Sequence, residues 1–219
     1  MQTIKDQEAI RFFVRACGLL FFSFGVAAIF MRIVQFFILG DPPLEILVLT
    51  DEFLFLQGFP SLIVAIFFLF GATALYIHQA QQLGRIGLII YFVSFFMLVI
   101  SSGAMWTYAF SAPELAREAP QLLTSPSSEI IQSVIASLAI GQIGWLLLVL
   151  VSFKSRKVPR WALWVSIISI ILVVVMTPFA QSQLVRFIFN ILLSVGPLAI
   201  GFVLWGGLEG KESKTKDLI

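Results

Sequence analysis

Residues 130–180 read IIQSVIASLAIGQIGWLLLVLVSF–KSRKVPR–WALWVSIISIILVVVMTPFA, and this stretch decides the fold. Two apolar runs, 130–152 and 161–180, flank a short connector that carries Lys154, Arg156, Lys157 and Arg160 and no acid. A helix that crosses roughly 30 Å of hydrocarbon at about 1.5 Å per residue needs about 20 mainly apolar residues. Both runs meet that length. Neither is the roughly ten-residue alternating segment that a membrane barrel is built from. The unit is therefore span, basic elbow, span.

The same unit recurs outward from this stretch. Apolar runs at 14–38, 54–77 and 86–110 precede it, and one at 187–208 follows. The expected fold is all-α, a polytopic bundle of six transmembrane helices in a single transmembrane domain over residues 1–219. Composition agrees: 59% of the 219 residues are hydrophobic and 12% charged, with mean hydropathy +1.01. A soluble domain carries about 25% charged and 45–50% apolar residues. No segment outside the spans exceeds about 20 residues, short of the roughly 40 that an independent domain needs. Residues 1–11 are polar, with Lys5, Asp6, Glu8 and Arg11. The run that follows contains Arg32 and ends at Gly40-Asp41-Pro42-Pro43 with no small-x-small cleavage site, so it is expected to stay as an uncleaved first span.

Charge sets the expected orientation. Of the 14 Lys and Arg residues, 11 fall on one side of the spans: three before or at the start of the first, Arg85 in the connector 78–85, four in the elbow 154–160, and Lys211, Lys214 and Lys216 in the tail. The other side holds Arg32, Arg117 and Arg186 together with Asp41, Glu45, Asp51, Glu52, Glu114, Glu118 and Glu129. The positive-inside rule then places both termini in the cytoplasm, and an even number of spans agrees in putting them on one side. Trp161 and Trp164 after the basic elbow, Trp106 and Tyr108 near the outer end of the third span, and Trp205 near the inner end of the sixth fall where interfacial aromatics are favoured. The 23 phenylalanines lie mostly within spans, as packing or lipid-facing residues.

Two outer connections have features of their own. Residues 40–53 carry Leu44-Glu-Ile-Leu-Val-Leu-Thr50, apolar enough to lie at the outer interface or to cap the bundle. Pro113 to Pro120 predicts a short separate helix with Pro in its first turn. Thr124 to Glu129 predicts a turn and N-cap for the fourth span. The elbows Gln82-Leu-Gly-Arg85 and Lys157-Val-Pro-Arg160 are alike, which topology alone accounts for.

Polar groups within spans are costly and mark functional candidates. Arg32 lies 17 residues after Arg15, roughly 25 Å along a helix, so it belongs near the outer boundary. There it snorkels, or pairs with Glu45, Asp51 or Glu52. Alternatively, Arg32 and Gln35 join Arg186 and Asn190 of the sixth span in an outward-facing polar pocket for an anionic headgroup or small acid. Gln142 is the most deeply placed amide, and it completes the candidate ligand-binding set. It follows Ser133, Ser137 and Gly141 and precedes Gly144, a small-residue face that predicts close helix packing within this chain or with another. Gln57, Gly58 and Pro60 read as a helix start. Gly196-Pro197 should kink the sixth span and free a carbonyl, in a gate or in static packing. His78, beside Gln79, Gln81 and Gln82, reads as a solvated helix end.

Several chemistries lack their residues. One histidine gives no bis-histidyl haem, and no Cys or acidic cluster completes a zinc or di-iron site, so neither metal nor cofactor is expected. No Lys, Asp or Glu lies within a span, against a retinal Schiff base, the usual proton relay and an intramembrane aspartyl protease. No His-Glu-x-x-His, Gly-x-Ser-x-Gly, P-loop or dinucleotide turn occurs. No basic run is interleaved with aromatics, so nucleic acid is not an expected partner. The single Cys17 excludes an intramolecular disulfide. A catalytic site is therefore not expected. An enzyme acting on lipid would need an unrecognised site around His78 or the outer loops.

The elbow Lys154-Ser-Arg-Lys-Val-Pro-Arg160-Trp161, with Leu83-Gly-Arg85-Ile-Gly-Leu and the outer Pro-Glu-Leu-Ala stretch, resembles those of uncharacterised six-span bacterial integral membrane proteins. That resemblance implies a bacterial inner-membrane protein and brings no catalytic residues. The expected function is non-enzymatic: an accessory, assembly or lipid-binding component that works with the lipid bilayer and forms a homo-oligomer or joins a membrane partner through the fourth span. The alternative is a small-solute transporter or facilitator using Arg32, Arg186, Asn190 and Gln142.

Overall fold

A computed structural model describes residues 4–37, 59–119, 122, 129–176 and 183–206. It is all-α. The helices are α1 (Ile4–Phe37), α2 (Phe59–Glu118), α3 (Glu129–Ser152), α4 (Arg160–Met176) and α5 (Gln183–Gly206). Four of them contain a stretch long and apolar enough to cross a membrane: Asp6–Val34, Leu62–Glu118, Gln132–Ser152 and Phe187–Gly206. α4 is apolar but shorter, at 17 residues.

α2 is not one straight rod. Gly84 takes φ 61° and ψ −152°, in the left-handed region that a Cβ disfavours, and the chain folds back there. The rings of Tyr76 and Tyr91 stack 4.5 Å apart, although 15 residues of straight helix would separate them by roughly 22 Å. Thr73 Oγ1 and Tyr91 Oη share a hydrogen bond of 3.0 Å. Phe59 and Phe110, at the far ends, meet edge to face at 6.3 Å. α2 is thus an antiparallel hairpin of two limbs, 59–83 and 85–118.

The rest of the bundle is assembled on that hairpin. The second limb packs along α3, the first limb meets α1, α1 lies along α5, and α5 carries α4. Phe21 of α1, Phe68 of α2 and Trp145 of α3 meet edge to face at the centre of the core, with centroids 5.2–5.8 Å apart. Such ring pairs add about 0.5–1.5 kcal/mol beyond the area they bury. Antiparallel packing places the start of α1, the Gly84 bend, the 153–159 elbow and the end of α5 at one end of the bundle.

Two boundaries differ from expectation. α1 starts ten residues before its apolar run: residues 4–13 contain neither Gly nor Pro, and Asp6 in the first turn complements the helix dipole. α2 continues through Pro113 to Glu118, where a separate short helix was expected. Proline lacks the N–H that would bond the Ala109 carbonyl, yet its φ suits a helix, and Ala109, Ala112 and Ala116 remain buried on the packed face. α5 runs through Pro197 as one helix. The expected features at 40–53, 57–58 and 124–128, the acids Glu45, Asp51 and Glu52, and the tail lysines lie outside the described residues.

Candidate functional site

The proposed outer pocket draws on α1 and α5, which are neighbours. A Cβ added to Gly18 would stand 2.7 Å from the Leu204 Cβ, and one on Gly25 would stand 2.9 Å from the Leu198 Cβ. Phe36 and Phe187 close the pairing with rings 4.5 Å apart. This antiparallel register sets Arg32 level with Ile191, beside Asn190. Both Arg32 and Asn190 are half-buried. Gln35 and Arg186 lie on the same two helices, toward the Phe36–Phe187 end. The backbone therefore brings these four positions to one end of one helix pair. The Asn190 carbonyl accepts the Ser194 hydroxyl at 3.2 Å.

Gln142 belongs to a different place. It is half-buried and lines a crevice whose walls come from α2, α3, α4 and α5, including Trp145, Ser166, Ser169 and Pro197. α1 contributes nothing to that crevice, so Gln142 and Arg32 do not share it. Its free volume is about 10 Å³. That is room for about one water, against roughly 300–1,000 Å³ for a ligand pocket. The Ser166 hydroxyl donates to the carbonyls of Ala162 (3.0 Å) and Gly196 (3.2 Å). A Cβ on Gly196 would lie 3.0 Å from the Ser166 Cα. Gly196-Pro197 thus lets α5 approach the α4 backbone, which is a packing role.

The small-residue face divides along its length. A Cβ on Gly141 would come within 2.5 Å of the Ser101 Cβ, and one on Gly144 within 2.8 Å of the Met97 Cβ and 2.9 Å of the Ser94 carbonyl. Both glycines pack on the second limb of α2 in the same chain. Ser137 is half-exposed and Ser133 exposed. The stretch 132–139 of α3 is far more open than 141–152.

The polar residues that join helices most closely lie at the basic end, and sequence reading passed over them. Gln79, next to the His78 that was expected at a solvated helix end, is fully buried. Its Nε2 donates to Ser152 Oγ at 2.7 Å, and the Ser152 hydroxyl donates to the Leu148 carbonyl at 2.7 Å. Gln82 Oε1 accepts from Ser155 Oγ at 3.0 Å and from the Arg156 N–H at 2.9 Å. His78 lies against Lys157 of the same elbow. The two elbows that looked alike in sequence are bonded to each other. Only the clustering of Gln79, Gln81 and Gln82 beside a helix end signalled it, because the partners lie 73 residues away.

Among the described residues no group of three or more His, Cys, Asp or Glu residues is placed to hold a metal. No family model matches this chain, and no curated protein or solved structure matches it.

Proposed function

We propose that this is a non-enzymatic membrane protein of six spans, with both termini and both basic elbows in the cytoplasm, acting as an accessory, assembly or lipid-binding component of a bacterial inner membrane. The observation that carries the reading is the close packing of the interior among the described residues. Helices touch backbone to backbone at Gly201 and Gly144, and the crevice at the core admits about one water. Such a bundle works through its surface, on lipids and on other membrane proteins.

The Gly84 hairpin supports a count of six when its two limbs are taken as separate spans beside α1, α3, α4 and α5. Cysteine at position 154, in a Cys17→Ala background, should react with an impermeant maleimide only from the cytoplasmic face. Labelling from the outside overturns the orientation. Native mass spectrometry of the protein released from membranes in a mild detergent tests the function. Retained lipid or a co-purifying protein is the expected result; a bare monomer with neither overturns the reading.

A transporter is the second reading. It is favoured by the polar lining of the crevice and by Trp145 Nε1, buried there without a hydrogen-bond partner among the described residues. It requires solute flux in proteoliposomes that Arg32→Ala abolishes while the protein stays folded.

A further inference from the structure

The 153–160 elbow is a closely bonded cup, and no side-chain bond ties Lys154, Arg156 or Arg160 to another described residue. Five consecutive backbone N–H groups are held. Phe153, Lys154 and Ser155 donate to the carbonyls of Leu150, Val151 and Ser152 at 3.0–3.2 Å. Arg156 donates to Gln82 Oε1 at 2.9 Å and Lys157 to Ser155 Oγ at 3.2 Å. Ser155 and Val158 are buried. The Phe153 ring stands edge-on to Trp164 of α4 at 5.3 Å. The loop bonded in this way forms an open concavity of about 530 Å³.

Lys154, Arg156 and Arg160 line the concavity, with Ser155 among them and Phe153 and Pro159 supplying apolar wall. Lys154 and Arg156 hold the elbow only through their backbones. The elbow contains no acid, and neither does the neighbouring Gly84 bend. Like charges gathered on a fixed concavity repel one another, and a bound anion reverses the sign of that interaction. Topology alone asks for positive charge on this side of the membrane, not for its convergence on a moored cup.

We propose that this cup binds the phosphate group of an anionic ligand. The depth of the cup favours an anionic lipid headgroup as the source, since Trp161 and Trp164 are exposed in the first turns of α4, where aromatic rings mark the headgroup level. The inference rests on the lipid-binding reading above and names its site.

The test compares lipid retention by native mass spectrometry after reconstitution with phosphatidylglycerol or with phosphatidylcholine. Each cation near an anionic headgroup contributes about fivefold in affinity. The triple variant Lys154→Gln, Arg156→Gln, Arg160→Gln should therefore lose phosphatidylglycerol by roughly a hundredfold, and its mooring bonds stay intact because they use backbone groups. Arg85→Gln, on the same side but outside the cup, should retain lipid as the natural protein does. Gln82→Ala keeps every cation but removes the two bonds that Gln82 Oε1 accepts from the elbow, and should weaken retention more than Arg85→Gln does.

Equal retention of phosphatidylcholine, or an equal loss in Arg85→Gln, overturns the proposal while leaving lipid binding in place. Loss of all lipid and protein partners by the natural protein overturns both. Inorganic phosphate, followed by ³¹P line broadening in phosphate-free detergent, separates the sources. Broadening that the triple variant abolishes assigns the cup to soluble phosphate; retention of phosphatidylglycerol without it assigns the cup to lipid.

Discussion

The pairing of α1 with α5 and the junction of the two elbows hold the same bundle by opposite means. Along α1 and α5, glycines at 18, 25 and 201 let the chains close until backbone meets neighbouring backbone or Cβ atoms. At the elbows, side-chain amides and hydroxyls reach across: Gln79 to Ser152 and Gln82 to Ser155. In lipid there is little hydrophobic force between helices, so close packing must be supplied by shape. At the elbows directional bonds fix register instead. Shape complementarity tolerates no added atom, whereas a hydrogen bond removed costs only its net worth.

Gly201→Leu should have the largest effect. A Cβ there would lie 2.5 Å from the Phe22 backbone nitrogen and 3.0 Å from the Gly18 carbonyl, atoms that no rotamer change can move. Overpacking of this kind costs about 1–3 kcal/mol or more, so the melting transition in detergent should fall sharply or vanish. Gly206→Leu, which meets nothing within 4 Å, should melt as the natural protein does. Equal melting of the two variants would break the account of the α1–α5 pair.

Gly141→Ala should cost less, because the obstacle is the Ser101 side chain. Adding Ser101→Gly should restore most of the lost stability, and failure of that rescue would show that Ser101 is not the obstacle. Gln79→Met should cost under about 1 kcal/mol: bonds of this class average about 0.6 kcal/mol, and the change also removes Oε1, which is buried without a partner. A double-mutant cycle with Ser152→Ala isolates the pair, and a coupling near zero would deny the clamp. Tyr91→Phe should be mildest, at about 0.5 kcal/mol, since it loses the Thr73 bond but keeps the stack on Tyr76; a larger drop in melting would give that hydroxyl a heavier role.

The helices were legible because their signal is local. Twenty apolar residues in a row announce themselves, and the short connector 78–85 between two such runs marks a turn. Helix ends were read less well. Pro113 has the local preference of a helix start, but the buried alanines around it carry the helix through. Pairing was not legible at all. The glycines at 141 and 144 foretold a close contact without naming the second limb of α2 as the partner. Gln79 gave no sign of its bond because nothing near it in sequence reveals Ser152. Arg32 and Asn190 were placed on a common level only once the register of α1 with α5 was known.

The core also has an optical consequence. The chain has five tryptophans. Trp106, Trp161, Trp164 and Trp205 are exposed on the outer surface, and Trp145 is 1% exposed, held between rings from α1 and α2. Brominated acyl chains will darken the surface four and leave Trp145 emitting. Its residual fluorescence therefore reports, without any attached dye, whether α1, α2 and α3 are docked together, and it can follow each of the variants above in a reconstituted bilayer.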